Sequence, residues 1–252
     1  MAKSTNKIAI RECTSFEELA KCVQLQRDVF GLPELEISPV RHLVVTRNAG
    51  GFTLGAYIED ELVGFVLSVP AYLRGKRAFY SHMTAVRSSH QSFGIGARLK
   101  WGQRERSLAE GVNLIKWTFE PVKARNAYFN LEKLGAVVRE YEENYYGVDY
   151  VSLPGTEEAI GLTSDRLFAE WELESKKVTA LAAGQTYLES RKVAASIAVP
   201  DDWDRLLSTD VHDALSEQLR VRSEFQNAIR RGLICRGFER HETRPRFLLF
   251  ED

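Results

Sequence analysis

The segment Val86-Arg87-Ser88-Ser89-His90-Gln91-Ser92-Phe93-Gly94-Ile95-Gly96-Ala97-Arg98-Leu99 decides how this chain is read. Residues 78–87 ahead of it (AFYSHMTAVR) read as a strand, and the stretch after it, to about Glu110, reads as a helix. Glycines at such a turn allow dihedrals that other residues avoid and let the backbone approach a ligand closely. The N–H groups and positive dipole end of the following helix suit an anion. Eight basic residues and one acid lie between Arg74 and Arg106, so the turn sits in a basic neighbourhood. The pattern implies a phosphate-bearing ligand. A P-loop is excluded, because no Gly-Lys-Ser/Thr follows. A dinucleotide fingerprint is excluded too, because Leu99 stands where a third small residue belongs and three earlier strands precede the loop.

Working outward, residues 7–13 read as a strand and Ser15-Phe16-Glu17-Glu18 as a capping box. A helical stripe of Leu19, Cys22, Val23 and Phe30 follows, stopped by Gly31 and Pro33. Residues 52–58 and 61–72 read as a hairpin turned at Glu59-Asp60, without the usual Asn-Gly chemistry. Residues 114–120 read as a buried strand, 122–134 as a helix opened by Pro121 and stopped by Gly135, and 137–148 as a further strand. The order β-α-β-β-β-α-β-α-β predicts an α/β fold with a mixed sheet. Residues 153–165 read as a linker, which divides the chain into domains at 1–152 and 166–252. In the second, 166–178 fits helix or strand equally. A long helix is expected from about 201 to 232, with Val211, Leu215 and Leu219 on one face, and then a hairpin at 233–250.

Of 252 residues, 44% are hydrophobic and 27% charged, which suits a globular protein with a full core. The net charge of -1 gives no signature of a nucleic-acid binder. Three scattered cysteines form no CxxC pair, and the five histidines show no ligand spacing, so no metal site is expected. The N-terminus lacks an apolar signal core and no apolar run is long enough to span a membrane, so a cytoplasmic protein without membrane contact is expected.

Gln91, Gly94 and Gly96 resemble the pyrophosphate loop of the GNAT (Gcn5-related N-acetyltransferase) superfamily, Arg/Gln-x-x-Gly-x-Gly/Ala. Val86 matches the residue that ends the family's preceding strand, whereas Ser88 replaces a frequent proline. Residues 124–136 are similar to a second family motif: Ala127 and Gly135 match, Asn126 is displaced by two positions, and Leu131 stands where many members carry tyrosine. The resemblance covers about residues 7–150. It implies a GNAT-type fold and an acyl-CoA dependent N-acyltransferase taking acetyl-CoA or another acyl-CoA, with an amine acceptor that it does not identify. It further implies that Gln91, Ser92, Phe93, Gly94, Ile95 and Gly96 hold the pyrophosphate, that the backbone near Thr84 and Val86 takes the pantetheine arm, and that Asn126 contacts the same arm.

Acyl transfer to an amine needs a base for the amine and an acid for the thiolate. Leu131 cannot act as an acid, so Tyr128, one turn earlier, is the substitute; the rival reading is a packing residue. Glu120, at the end of a buried strand, and His82, in the strand before the loop, are the base candidates. A solvated carboxylate and a satisfied core histidine are their rivals. A second reading of the whole protein stays open: an acyl-CoA-binding regulatory module without transfer chemistry. Two roles stand open for the C-terminal unit: choosing the acceptor or pairing two copies in a homodimer.

Overall fold

The computed structural model describes residues 8–152 and 159–252, a mixed α/β arrangement. The described residues fall into two compact units, one up to Lys116 and one from Trp117.

In the first unit, β1 (Ala9–Glu12) leads into α1 (Phe16–Phe30). The capping box forms as expected: Ser15 Oγ accepts from the Glu18 N–H at 3.2 Å, and Glu18 Oε2 accepts from the Ser15 N–H at 3.1 Å. Gly31, at φ 61°, closes the helix. α2 (Val40–Asn48) was not expected; Pro39 opens it, and its Val44-Val45-Thr46 run has low helix propensity. β2 (Phe52–Ile58) and β3 (Glu61–Leu73) form the hairpin. Glu59 and Asp60 both take positive φ, 49° and 65°, as a tight turn between twisted strands requires. β4 (Lys76–Val86) pairs antiparallel with β3 and parallel with β5 (Leu114–Phe119), over Phe79↔Ile115 and Tyr80↔Lys116. The sheet order here is β1-β2-β3-β4-β5. α3 (Ile95–Ala109) follows the loop and buries Ile95 and Leu99. A core built on Leu19, Cys22, Leu25, Leu43, Phe65 and Leu67 seals α1 and α2 to the strands.

The β3–β4 register slips once. Leu67 faces Met83 and Ser68 faces Ser81, which leaves His82 as the extra residue of a bulge. From Ser81 to Val86, β4 has its ladder to β3 and no second strand partner among the described residues.

The second unit carries the strand order β9-β6-β11-β12-β10. Its strands are β6 (Val137–Glu142), β9 (Arg166–Glu172), β10 (Ala195–Ala198), β11 (Ile234–Glu239) and β12 (Arg246–Phe250), and β7 (Val148–Ser152) pairs separately with β8 (Ala159–Thr163). Its helices are α4 (Ala124–Tyr128), α5 (Lys176–Ala182), α6 (Trp203–Thr209) and α7 (Val211–Arg230). Phe225, Phe247 and Phe238 stack edge to face in its core, at centroid distances of 4.9 Å.

Several sequence expectations need correction here. The strand expected over 137–148 stops at Glu142, because a turn with Asn144 at φ 53° and Gly147 at φ 99° interrupts it. Within the stretch read as a linker, 159–163 is a strand, and 153–158 lie outside the described residues. The ambiguous 166–178 is strand first and helix second. The helix expected at 201–232 is two helices, because Asp210 turns out of helical geometry and its side chain accepts from the Asp213 N–H at 2.9 Å as a new N-cap. The buried stripe of α7 is Val211, Ala214, Gln218, Val221 and Phe225, and Leu219 is exposed. The helix expected at 122–134 is short, passing after Tyr128 into a π-helical turn over Phe129–Lys133.

Candidate active site

The loop after β4 is built for close backbone approach. Ser88–His90 make one 3₁₀ turn, and Gln91 Nε2 donates to the Val86 carbonyl at 3.1 Å, tying the loop to the strand end. Ser92 and Gly94 take positive φ, 70° and 76°. The first is costly for a residue with a Cβ; the second is a conformation glycine adopts freely. Gly94 is the N-cap of α3, and no side chain caps this helix. Its first N–H groups therefore remain for solvent or a ligand. A Cβ added at Gly94 or at Gly96 would meet no protein atom within 4 Å. The protein does not need glycine there for its own packing, which fits a ligand that needs the room. Thr84 and Val86, both half-buried, lie on the β4 stretch that has no second strand partner, and Phe93 is exposed.

The basic surround is thinner than the sequence implies. Lys100 is buried; its ammonium donates to Ser81 Oγ at 2.8 Å and Gln103 Oε1 at 3.2 Å, and burial pushes its pKa well below the ordinary lysine range. Arg87 pairs with Glu61, Arg77 with Glu110, and Arg106 with Glu12 and Glu110. Arg98, in the first turn of α3, is exposed.

His82 is an exposed bulge residue and not the buried strand histidine of the rival reading. Its Nε2 lies 3.5 Å from Ser38 Oγ, and its ring meets His42 edge-on at 5.9 Å. Desolvation by its neighbours, and then the charge of His42, lower its pKa. Sequence reasoning missed Ser38 and His42, because α2 itself was not legible.

In the second unit, Glu120 lies after β5, is half-exposed and faces Lys123 at 3.6 Å; Lys123 also binds Asp204 at 3.0 Å. Asn126 is exposed on α4. The Tyr128 ring carries the Arg240 guanidinium over its face at 3.6 Å and Lys133 Nζ at 5.5 Å. Arg240, with Ala124 and Arg125, also lines an open cleft of about 670 Å³. Leu131 is fully buried, so this position packs and offers no hydroxyl. Buried Asn130 accepts from Trp117 Nε1 at 3.3 Å. Among the described residues no group of three or more His, Cys, Asp or Glu is placed to hold a metal, and no helix is long and apolar enough to cross a membrane.

Comparison with known proteins places these features. The profile of the acetyltransferase (GNAT) family matches residues 17–136. No curated protein matches the chain at a significant level. Three solved structures share its fold. An Acinetobacter baylyi protein assigned as an acetyltransferase is 14% identical, covers 69% of this chain and 97% of its own, and has a TM-score of 0.54. A GNAT-family protein from Desulfovibrio desulfuricans is 14% identical, with 66% and 99% covered and a TM-score of 0.53. A GNAT family acetyltransferase from Elizabethkingia anophelis, solved with acetyl-CoA bound, is 17% identical, with 68% and 100% covered and a TM-score of 0.50. Residues 17–136 of this chain are a GNAT-family acetyltransferase domain.

Proposed function

We propose that the protein is an acyl-CoA dependent N-acetyltransferase acting on an amine acceptor. The observation that carries this reading is the loop from Gln91 to Gly96 in a GNAT-family domain. It delivers an uncapped helix N-terminus behind two glycines whose Cβ positions are open. A pyrophosphate fits that donor set: it is an anion, it accepts hydrogen bonds from backbone N–H groups, and it needs space where side chains would stand.

In this reading the backbone N–H groups of Gln91, Ser92, Phe93, Gly94, Ile95 and Gly96 hold the pyrophosphate. The β4 backbone near Thr84 and Val86 holds the pantetheine arm. Acetyl-CoA supplies an activated acyl group. The chain's own residues bind it, position the acceptor and manage protons. His82 and Glu120 are the proposed bases and Tyr128 the proposed acid. Of these, His82 is supported best, since it is exposed and its pKa is lowered, so it stays neutral to lower pH than a free histidine. Three free, buried cysteines fit a reducing, cytoplasmic setting.

Buried Leu131, where many relatives carry a tyrosine, favours the second reading of a CoA-binding module without transfer. One experiment separates the two: incubation with acetyl-CoA and a panel of amines, reading free thiol and acetylated product by mass. Product supports transfer. CoA binding with no product for any amine supports the module.

A further inference from the structure

We propose that the open cleft between α4 and the β11–β12 hairpin, within the second unit, is a binding site for a small zwitterion with an apolar body. Apolar amino acids and short peptides have this chemistry: a carboxylate, an ammonium and a hydrocarbon side chain. The inference goes beyond the transferase reading and does not depend on it.

The cleft has the size and the rigidity of a ligand site. Its volume of about 670 Å³ falls inside the range of roughly 300–1,000 Å³ usual for small-molecule sites. The floor is apolar and fixed. Phe238 and Pro245 line it and are buried, and the Phe238 ring meets Phe247 edge-on at 4.9 Å. The hairpin loop that forms one wall is held by its own bonds. His241 Nδ1 accepts from the N–H groups of Thr243 at 3.3 Å and Arg244 at 3.2 Å. The Val199 N–H donates to the Pro245 carbonyl at 2.9 Å.

Part of the lining offers donors to an anion. Arg125 comes from α4, and Arg240 and His241 from the hairpin. The Arg240 guanidinium lies over the Tyr128 ring at 3.6 Å. That stack uses one face of a planar group and leaves the N–H donors in its plane, where a carboxylate takes two of them side by side. The His241 turn uses Nδ1 as an acceptor, which assigns the ring proton to Nε2 and makes that nitrogen a further donor.

Another part of the lining is acidic: Asp201 from the turn ahead of α6, and Glu242 from the hairpin loop. The acids beside them are committed elsewhere. Asp202 caps α6 by accepting from the Arg205 N–H at 3.0 Å, Asp204 binds Lys123 at 3.0 Å, and Glu239 pairs with Arg246 at 2.8 Å. Among the described residues, Asp201, Glu242 and Arg240 enter no ion pair. Uncommitted charges of both signs around one apolar floor match a ligand that brings both signs itself. A plain anion would face the two acids, and a plain cation the arginines.

The test is titration calorimetry of the full chain with L-phenylalanine and three partial analogues. 3-Phenylpropionate lacks the ammonium, 2-phenylethylamine lacks the carboxylate, and glycine lacks the apolar body. Phenylalanine should bind at least tenfold more tightly than any of the three, since each analogue gives up a charge-assisted contact or the floor. Arg240→Gln should weaken phenylalanine at least tenfold and leave 2-phenylethylamine unchanged. Asp201→Asn should weaken phenylalanine and leave 3-phenylpropionate unchanged. The analogue that each variant still binds shows that its cleft is folded. L-Alanyl-L-phenylalanine separates the two sources of this chemistry: tighter binding than phenylalanine assigns the cleft to a peptide end, and weaker binding to a free amino acid. No binding of phenylalanine or the dipeptide up to their solubility limits overturns the proposal. So does an analogue that binds as tightly as phenylalanine, or wild-type affinity for phenylalanine in both variants.

Discussion

Gly96→Ala should move stability and ligand affinity in opposite senses. Gly96 is the second residue of α3 and has no positive φ, so alanine can adopt its backbone conformation. A Cβ there meets no protein atom within 4 Å, so there is no clash to offset the gain. Removing a glycine's freedom in the unfolded chain should stabilise by about 0.4–1 kcal/mol. In a chain of this size that raises Tm by roughly 1–4 °C. The same methyl group occupies the space that the account gives to the pyrophosphate. Displacing the anion from one backbone N–H loses a charge-assisted hydrogen bond of about 1.5–3 kcal/mol, or roughly 10- to 150-fold in Kd for CoA. Scanning calorimetry of the free protein reads the first number and titration calorimetry with CoA the second. An unchanged Kd would refute the claim that CoA approaches this backbone. A fall in Tm would refute the claim that the glycine is unused by the fold.

Gly94→Glu should abolish CoA binding, because it adds a carboxylate at the proposed anion site, while the left-handed conformation costs roughly 1–2 kcal/mol of stability; CoA binding left intact would sink the loop assignment. Asp165→Ala should destabilise by about 3–5 kcal/mol in denaturant titration. Buried Asp165 takes two hydrogen bonds from Arg222, at 2.9 and 3.1 Å, and others from Tyr141 and the Asn144 N–H, so its loss leaves those donors unmet and a guanidinium that is only 13% exposed with Glu143 as its remaining carboxylate. Glu18 is held down to about 2 by Arg11, with help from the Ser15 and Thr14 N–H groups and Tyr57. Its folded pKa is the lower one, so its contribution is present above the ordinary carboxylate range and fades as pH falls toward 2. The stability gap between wild type and Glu18→Gln should therefore narrow on acidification, and a gap that widens contradicts the assignment.

The legible parts of the fold were those with local physical signatures. Ser15 and Glu18 announce a helix start through chemistry three residues apart, and the structure forms both bonds. The loop from Gln91 to Gly96 is legible because its glycines meet local needs at a strand-to-helix turn: a positive φ at Gly94 and open space at Gly96. What failed depended on context. α2 is hidden because Val44, Val45 and Thr46 favour strands, and packing of Leu43, Thr46, Val40 and Val44 on the core makes the segment worth folding as a helix. Asp210 sits inside what looks like one helical pattern, yet it caps a new helix. The bulge at His82 is a register fact that no single strand's sequence carries. With α2 and the bulge both hidden, His82 could be proposed as a base while its partners Ser38 and His42 could not. The basic cluster misled for a similar reason, because Lys100 is buried and several of the arginines are paired.

Thermal unfolding with and without acetyl-CoA decides whether this chain binds acyl-CoA through the loop after β4. At 100 times its dissociation constant the ligand should add about 2.7 kcal/mol, a rise in Tm of roughly 5–10 °C. NAD at the same concentration should give no shift, and Gly94→Glu should remove the rise. Equal shifts with acetyl-CoA and NAD, or none with acetyl-CoA, CoA and a longer acyl-CoA, would contradict the account.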